Sequence, residues 1–432
     1  MNPRIRSWAQ LSKEEKTALL SRSEIDISEA MGTARTILEA VKADGDGALL
    51  RYTRQFDGAD LTPETLRASP AEIAGAERSI PKNVADAIRR SIGNVRACHR
   101  DQLPGPLSLR EVVPGVFAGE RAAPIPSVGL YAPRGKGSFP SSMYMMAVPA
   151  SVAGVPRIVV ASPPDKKGAC DPATLFAASL CGVTEIYKIG GVQAMAALAY
   201  GTESIPSVAK ILGPGNQYVT AAKRLLFGTV DIGLPAGPSE SLMIADDTAD
   251  PRLAALDLMI EAEHGPDSQA LLVTPSQKLA AAVAAELSRL AAELPEPRRS
   301  FVEKVMTGYG GILLVRSIEE AAEVANAVAP EHLQIAAAEP FALLGLVTNA
   351  AEILLGQNVP FSLANYSVGV NAVLPTGGAA RTWSPLSTRD FMKWTSIAYA
   401  TAGGYSSLKG SAIALADYEG FAAHAKALRE RS

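Results

Sequence analysis

Two residues with complementary chemistry lie three positions apart near the end of an apolar segment. Glu261 and His264 occur in the stretch D-L-M-I-E-A-E-H-G-P-D-S, which covers residues 257–268. If the apolar part forms a helix, this spacing places the carboxylate and the imidazole on one face, one turn apart. There they could hold a zinc-like cation or prepare a proton transfer. A surface pair near a helix C-terminus is the commoner explanation of so short a motif.

The scarcity of histidine makes the pair more informative. The chain contains only His99, His264, His332 and His424. The last three fall in segments that we expect to contribute to one site. His99 lies with Cys98 near the end of a helical run, and we interpret both as structural because no other reactive residues cluster beside them.

Length and composition indicate an ordinary globular protein. The 432 residues predict two or more domains, and 47% hydrophobic with 20% charged residues is typical of soluble proteins. A net charge of −3 argues against a general polyanion binder, so we expect no nucleic-acid partner. Three cysteines without C-x-x-C spacing favour a reducing compartment. Neither a signal-peptide pattern nor a long apolar span is evident, so we expect a cytoplasmic protein without membrane contact.

Apolar runs of strand length alternate with helical patterns over most of the chain. This rhythm predicts parallel, doubly wound sheets, in which loops after the strands bind ligands. The pattern also predicts a small helical segment over 1–23, an amphipathic helix over 25–55 and a strand pair over 107–117. We expect a loop over 356–381 and a largely helical tail from Asp390.

A glycine-rich turn precedes one of these helices. No complete G-x-G-x-x-G motif follows a strand, and Gly213-Pro-Gly-Asn216 is only a partial match. A tight turn with Asn216 as the N-cap explains it equally well. The helix N-terminus would still present backbone N–H groups to a pyrophosphate.

Several longer motifs, in this order along the chain, resemble the histidinol dehydrogenase family. The resemblance implies an NAD-dependent, zinc-containing, intertwined homodimer that oxidises an amino alcohol through the aldehyde to the acid. It also implies two Rossmann-like α/β domains with small N- and C-terminal helical segments. The motifs are VGLYAPRGKGSFPSS, GGVQAMAALAYGTES, KILGPGNQYVTAAKR, LPAGPSE, EAEHGPDSQ, PEHLQI, NAVLPTGGAAR and YEGFAAHAKAL.

The resemblance assigns roles to individual positions. His332 would accept the alcohol proton, and Glu331 would activate the water that hydrates the aldehyde. Adjacent residues on a strand face opposite ways, so this pair needs a turn, which Pro330 favours. The implied NAD contacts are Tyr131, Gln193 and Asn216. The implied substrate contacts are Ser239, Glu261, His264, His332, Asn365, Glu419 and His424. Glu419 and His424 would reach into the partner subunit's site.

The expected metal set departs from the family pattern. The family has Gln, His, Asp and His where this chain has Glu261, His264, Asn365 and His424. The two oxygen ligands have exchanged an amide for a carboxylate and the reverse, so the formal charge of the set is unchanged. We expect zinc or another divalent cation with altered geometry; the alternative is a metal-free site in which Glu261 has another role.

Two further departures concern the substrate. Ala372 stands where the family has a histidine on the substrate side, and Arg134 stands where the family usually has glycine. Arg134 could bind a carboxylate or phosphate, or could be a solvated loop residue. These changes favour a polar alcohol other than histidinol. The alternatives are a true histidinol dehydrogenase with a compensated site, a metal-dependent hydrolase, and a non-catalytic protein that binds small molecules.

The expected domain division follows the same resemblance. It comprises an N-terminal helical segment (1–23), a catalytic α/β domain (24–130 and 239–385), an NAD-contacting α/β domain (131–238) and a helical dimerisation segment (386–432).

Overall fold

A computed structural model describes residues 1–21, 28–134 and 137–431 of the chain. The described part contains three sheets. The strands are β1 (Ile5–Ser7), β2 (Leu107–Val113), β3 (Val116–Pro124), β4 (Ser127–Tyr131), β5 (Arg157–Ala161), β6 (Glu185–Tyr187), β7 (Lys210–Leu212), β8 (Glu240–Ala245), β9 (Gln269–Thr274), β10 (Gly311–Leu314), β11 (His332–Ala336), β12 (Glu352–Leu355) and β13 (Met392–Ala400).

Helices cover both faces of the two parallel sheets. The α-helices are α1 (Lys13–Ser21), α2 (Ser28–Asp57), α3 (Pro63–Leu66), α4 (Pro70–Gly75), α5 (Lys82–Arg100), α6 (Pro140–Ala153), α7 (Pro172–Leu180), α8 (Gly191–Tyr200), α9 (Gln217–Leu226), α10 (Pro251–Ala262), α11 (Gln277–Ala291), α12 (Arg298–Thr307), α13 (Ile318–Val328), α14 (Pro340–Leu344), α15 (Phe361–Tyr366), α16 (Ala402–Tyr418) and α17 (Ala422–Arg429). Short 3₁₀ turns lie at Trp8–Gln10, Ala76–Ser79, Ala379–Arg381 and Thr388–Phe391.

The larger sheet has six strands in the order β1-β10-β9-β8-β11-β12, and every neighbouring pair is parallel. Its central strands are buried on both faces, as expected for a parallel sheet covered by helices. Alternate residues point into two separate cores, so Met243 packs toward α10, α11 and α12, whereas Leu242 packs toward α1, α13 and α14.

The smaller sheet has four parallel strands in the order β6-β5-β4-β7. Leu130 faces the core formed with α5, α6 and α7, and Tyr131 faces the core formed with α2, α8 and α9. The predicted α/β fold with parallel sheets is confirmed. Helix α2, which the expected division places in the catalytic domain, packs against α8 and α9 beside this smaller sheet. The domain boundaries remain a prediction.

The third sheet corrects the expectation of a largely helical tail. Strand β13 pairs antiparallel with β3 along its whole length, in the order β13-β3-β2, and only then do α16 and α17 follow. The segment KWTSIAYA is rich in β-branched and aromatic residues, which favour a strand. The predicted strand pair near 107–117 is confirmed as β2 and β3.

Two other local expectations were wrong. Residues 5–7 form strand β1 at the edge of the larger sheet, because their backbone pairs with β10, although α1 follows as predicted. The loop expected over 356–381 contains helix α15, whose Phe361 is buried in a small core with Leu354. The start of the predicted helix 25–55 lies partly outside the described residues. Among the described residues, no helix combines the length and apolarity that a membrane span requires.

Candidate active site

The predicted acid–base pair lies at the amino-terminal edge of the larger sheet. His332 is the first residue of β11, and its neighbours in register are Ser241 on β8 and Glu352, which opens β12. Helix α10 returns antiparallel from β8, so its C-terminal residue Glu261 reaches the same edge. The pair therefore lies at the start of its strand, whereas ligands of open parallel sheets usually bind at the opposite edge.

The predicted turn before His332 is confirmed. Ala329 has a φ of +50°, in the left-handed region, and the chain bends at Glu331 before entering β11. This bend lets two adjacent side chains approach each other, with Glu331 Oε1 lying 3.9 Å from His332 Nε2. The other carboxylate oxygen of Glu331 accepts a hydrogen bond from the backbone N–H of Glu240 at 2.9 Å. A backbone N–H therefore holds the carboxylate of Glu331 beside the imidazole of His332.

Three of the four expected metal positions meet around the carboxylate of Glu261. Asn365 Nδ2 donates to Glu261 Oε1 at 2.9 Å, and His264 Nδ1 lies 3.4 Å from Glu261 Oε2. Ser239 Oγ lies 2.9 Å from the same Nδ1 of His264, which joins the predicted substrate contact to this group. His332 Nε2 is 3.9 Å from Glu261 Oε1, so the expected metal and acid–base groups are contiguous.

The position of α10 follows from its sequence. Asp250 caps the helix by accepting hydrogen bonds from the N–H groups of Arg252 and Leu253. Pro251 follows at the first helical position, where a backbone N–H would have no partner within the helix. Leu258 and Ala262 are buried against the larger sheet. Glu261 is only 1% exposed. The free-energy cost of burying its carboxylate must be offset by hydrogen bonds or by an opposite charge.

The buried site contains more carboxylates than groups that could carry a positive charge. The imidazole of His332 faces the carboxylates of Glu261, Glu331 and Glu352, and all four residues are buried. Burial raises the pKa of Glu331 well above its ordinary value, and the nearby Glu261 and Glu240 carboxylates add to this, against the opposing effect of His332. Burial alone would lower the pKa of His332, but the surrounding carboxylates outweigh it and raise that pKa. A cation at Glu261 would relieve this imbalance.

Two acidic residues of this cluster escaped the sequence analysis. Glu352 Oε2 lies 2.7 Å from His332 Nδ1, and Glu240 Oε1 accepts from the N–H of Gly377 at 2.8 Å. Each glutamate opens a strand whose following residues are mainly apolar. A charged residue at the start of a buried strand was the signal that could have identified them.

The expected NAD contacts gather at the carboxyl-terminal edge of the smaller sheet. Tyr131 ends β4, Gln193 lies in the first turn of α8, and Asn216 precedes α9. The hydroxyl of Tyr131 accepts a hydrogen bond from the N–H of Gly191 at 3.1 Å, which links β4 to the start of α8. This arrangement, with helix N-termini after strands, is where open parallel sheets bind nucleotides.

The side chains at this edge are consistent with a bound cofactor. Gln193 is 1% exposed, its Nε2 donates to Asp57 at 3.4 Å, and its buried Oε1 has no hydrogen-bond partner. Asn216 caps α9 through two N–H groups, as the simpler interpretation predicted. Asp57, at the end of α2, was missed, because the contact spans 136 positions.

The C-terminal residues lie apart from this group within one chain. Glu419 follows α16 and is exposed, and the ring of His424 on α17 contacts Phe421 at 5.1 Å. Among the contacts made by the described residues, none joins His424 to Glu261. No three His, Cys, Asp or Glu side chains in the described ranges converge as a complete metal site. Of the four expected metal positions, the described part of one chain brings together Glu261, His264 and Asn365.

The two residues that suggested a divergent substrate have structural contacts. Arg134 Nη1 donates to the carbonyl of Ala169 at 3.1 Å and lies 3.8 Å from Asp165, which favours a role in holding its own loop. Ala372 is half-buried against the core of the smaller sheet. Its neighbour Asn371 contacts His99 at 3.0 Å, in agreement with a structural role for that histidine.

The donor chemistry fits a divalent cation. Glu261 provides carboxylate oxygens, His264 an imidazole nitrogen and Asn365 an amide group whose oxygen and nitrogen can exchange places by rotation. Oxygen and nitrogen donors of these kinds suit zinc and similar cations. A fourth ligand would have to come from outside this group.

The parallel sheets, the buried glutamate–histidine cluster and the nucleotide-type helix termini together define an α/β enzyme with acid–base chemistry. The sequence profile of histidinol dehydrogenase matches residues 20–432. The chain belongs to the histidinol dehydrogenase family, which comprises NAD-dependent oxidoreductases that act on an alcohol. The family also uses a divalent metal.

Individual relatives support this assignment. The chain is 51% identical to a histidinol dehydrogenase from Synechocystis sp., over 99% of both chains. It is 50% identical to a histidinol dehydrogenase homolog from Rhizobium meliloti, over 98% of this chain and 92% of that protein. A crystal structure of histidinol dehydrogenase from Elizabethkingia anophelis superimposes with a TM-score of 0.94 at 34% identity, covering 99% and 97% of the two chains.

Proposed function

We propose that this chain oxidises histidinol through the aldehyde to the acid in two NAD-linked steps. The proximity of Glu331 and His332, in a buried cluster with Glu261, is the observation that carries the proposal. The similarity to the Synechocystis enzyme along the full chain favours histidinol over the divergent alcohol that the sequence departures suggested.

His332 and Glu331 are proposed to transfer protons, through the imidazole Nε2 and the carboxylate respectively. In the first oxidation, Nε2 of His332 would take the alcohol proton, for which the ring must be neutral. A cation at Glu261 would counter the carboxylates that raise the pKa of His332 and so favour the neutral ring. The hydride from the alcohol carbon would go to bound NAD. Glu331 would then take a proton from the water that adds to the aldehyde. Oxidation of the hydrate to the acid would release one proton to this acid–base pair and one hydride to a second molecule of NAD. The raised pKa of Glu331 suits a residue that must take and return protons near neutral pH.

The cofactors would be held by the groups described above. Tyr131, Gln193 and Asn216 are the proposed NAD contacts, and NAD supplies the hydride acceptor. Glu261, His264 and Asn365, with His424 of a second subunit, are the proposed metal ligands, and a divalent cation there would polarise the substrate oxygen. Ser239 and Glu419 are proposed substrate contacts, and the homodimer and the domain division belong to the same proposal.

A second candidate is the oxidation of a different polar alcohol. The observation in its favour is the combination of Ala372 with the exchanged pair Glu261 and Asn365, which the family does not share. Because the side chain of Ala372 has no donor or acceptor, it could not hydrogen-bond to an imidazole ring of the substrate.

Steady-state NADH formation tests these proposals. The wild-type protein, loaded with zinc, should reduce NAD with histidinol, and a panel of other polar alcohols should give lower kcat/KM. We expect His332→Ala to reduce the first oxidation by about 10²–10⁴-fold, the usual contribution of a positioned base. Glu331→Gln should slow acid formation from the aldehyde more than aldehyde formation from the alcohol.

The opposite results are equally informative. A higher kcat/KM with another alcohol would replace histidinol as the substrate. No turnover with any alcohol, together with no NAD binding by calorimetry, would favour the non-catalytic alternative. An unchanged rate in His332→Ala would remove this residue from the mechanism.

A further inference from the structure

Glu352 makes a close contact with the imidazole that the proposed chemistry uses. Its Oε2 lies 2.7 Å from His332 Nδ1, and the two side chains are 5% and 3% exposed. This distance is typical of a hydrogen bond to a charged group. The contact is therefore short, buried and directed at the ring nitrogen that does not face Glu331.

The sheet fixes the position of this carboxylate. Strands β11 and β12 are parallel, and His332 and Glu352 are partners in register. The N–H of Glu352 donates to the carbonyl of Glu331 at 3.1 Å, and the N–H of Ala351 donates to Pro330 at 3.0 Å. Because both residues open adjacent strands, the ladder holds their Cα atoms in register and places the carboxylate within reach of the imidazole.

The rest of the ring environment leaves only one nitrogen available for substrate. Phe361 packs edge-on against the imidazole, with ring centroids 5.7 Å apart and planes at 63°. With Nδ1 directed at Glu352, Nε2 points toward Glu331 and Glu261, at 3.9 Å from each. The second oxygen of Glu352 is buried without a hydrogen-bond partner, so the carboxylate's principal contact is His332.

We propose that Glu352 is a positioning residue, which accepts the Nδ1–H of His332 and thereby keeps Nε2 oriented to receive the substrate proton. This inference rests on the proposed function of His332. A carboxylate behind a working histidine fixes both the ring orientation and the tautomer, as in serine-protease triads and in metal-bound histidines. Glu352 itself touches neither substrate nor cofactor in this scheme.

The test compares two variants of Glu352 in the zinc-loaded, full-length protein. Glu352→Gln keeps the size of the side chain, and Glu352→Leu removes the hydrogen bond. We expect each to lower kcat for alcohol oxidation by about 10- to 100-fold, while KM for the alcohol and for NAD stays within about threefold. Loss of kcat at constant KM is the signature of a misoriented base rather than of a damaged binding site.

A matched control separates this effect from the loss of any carboxylate at the start of a parallel strand. Glu185 also opens a parallel strand, β6, and its carboxylate is hydrogen-bonded to Arg157 at 2.6 Å, away from the site. Glu185→Gln should leave kcat unchanged. Thermal melting of all variants checks that they are folded, and Glu352→Gln keeps the test available if Glu352→Leu does not fold.

A spectroscopic measurement reports on the hydrogen bond itself. With ¹⁵N-labelled histidine, the wild-type protein should show a strongly downfield Nδ1–H signal for His332, assigned by its absence in His332→Ala. The signal should disappear in Glu352→Leu. Survival of this signal in Glu352→Leu, or a kcat within about twofold of wild type in both Glu352 variants, would overturn the inference.

The outcome also distinguishes this inference from the proposed function. If His332→Ala is inactive while the Glu352 variants are fully active, only the positioning role is lost. If His332→Ala retains activity, the proposed function of His332 fails, and the role of Glu352 fails with it.

Discussion

The hydrogen bond between Asn365 and Glu261 joins the two positions at which this chain exchanges an amide and a carboxylate. Their side-chain atoms lie 2.9 Å apart, so each residue determines the charge that the other experiences. A carboxylate at one position and an amide at the other gives one negative charge, whichever way round they are placed. The pair should therefore behave as a unit in metal binding rather than as two independent ligands.

We predict that exchanging the carboxylate of Glu261 and the amide of Asn365 in a double variant preserves metal binding better than changing either residue alone. Glu261→Gln leaves two amides and no carboxylate, so zinc affinity should fall by about tenfold or more. Asn365→Asp places two carboxylates in contact, which should lower the melting temperature of the metal-free protein and increase its stabilisation by zinc. The double variant Glu261→Gln/Asn365→Asp should restore both values toward wild type. Zinc titration with thermal melting and metal analysis measures each outcome.

Strict additivity of the two changes would contradict this coupling. Retention of full zinc stoichiometry in Glu261→Gln would show that the cation is held elsewhere. Lys166→Gln, a change on an exposed loop, serves as the control for handling and purification.

The site residues that could be predicted from the sequence are those that belong to a short local motif. Glu261 lies at the end of α10 and His264 in the bend just after it, and Glu331 and His332 are adjacent, so short-range spacing carries the signal. Glu352 could not be found in this way, since its partner lies 20 positions away and is reached only through strand pairing. Register between parallel strands depends on the whole sheet, which no local pattern encodes.

At the level of elements, helix termini have two competing uses in this molecule. Asn216 caps α9 by accepting hydrogen bonds from Tyr218 and Val219, yet the same terminus is a proposed contact for the cofactor. A side chain that satisfies the backbone can still face a ligand with its remaining amide group. Substitutions can separate the two uses, because capping needs an acceptor whereas a pyrophosphate repels a negative charge.

We predict that Asn216→Ala and Asn216→Asp have opposite profiles. The alanine variant loses the cap, so its free energy of unfolding should fall by about 1 kcal/mol. The aspartate variant keeps the cap and should keep its stability, but its charge should weaken NAD binding. Denaturant unfolding and NAD calorimetry give the two values. Equal NAD affinity in wild type and Asn216→Asp would place the pyrophosphate away from α9.

The junction of α2 and α8 gives a pH-dependent prediction. Burial raises the pKa of Asp57 to about 6, although the hydrogen bond from Gly190 opposes this. Because the pKa is raised on folding, the protonated carboxyl is favoured in the native state, and stability is lost as pH rises from about 4 through 6. The side chain of Asp57→Asn is neutral at every pH. The melting temperature of this variant minus that of wild type should therefore be more positive at pH 8 than at pH 4.5. A melting-temperature difference that does not change with pH would contradict the buried charge.

Helices and strands, like the site residues, were predictable where a local sequence pattern specifies them. Helix α9 has a strong local signal, a tight turn that ends in the N-cap Asn216, and the predicted helix after this turn is present. Strands β1 and β13 were missed because each lies at a sheet edge, with a short or mixed pattern. Their conformation is decided by distant pairing partners, β10 and β3, rather than by their own sequence.

On the scale of the whole molecule, the C-terminal arm is attached through one sheet. We define the arm as β13, α16 and α17, and its connection to the body is the pairing of β13 with β3. Large apolar side chains on this arm are exposed in the single chain, including Leu415, Tyr418 and Phe421. Tyr418 and Phe421 flank Glu419, one of the two residues that the proposed site takes from its partner.

The site within one chain is correspondingly incomplete. Glu261, His264 and Asn365 are the three proposed ligands that lie together, and the fourth, His424, lies on the arm. Joining His424 to the others through a second subunit would bury the exposed apolar residues and complete the metal set at the same time. In a two-fold dimer this exchange is reciprocal, so each site would combine the body of one subunit with the arm of the other.

This arrangement predicts complementation between two inactive variants. His332→Ala damages only the body, and His424→Ala damages only the arm, so each homodimer should have no intact site. After co-unfolding and refolding at equal amounts, about half of the dimers should be mixed, and each should contain one intact site and one doubly damaged site. NADH formation should then recover to about a quarter of the wild-type rate. An arm that folds back onto its own body would give two singly damaged sites in every mixed dimer, and no activity would return.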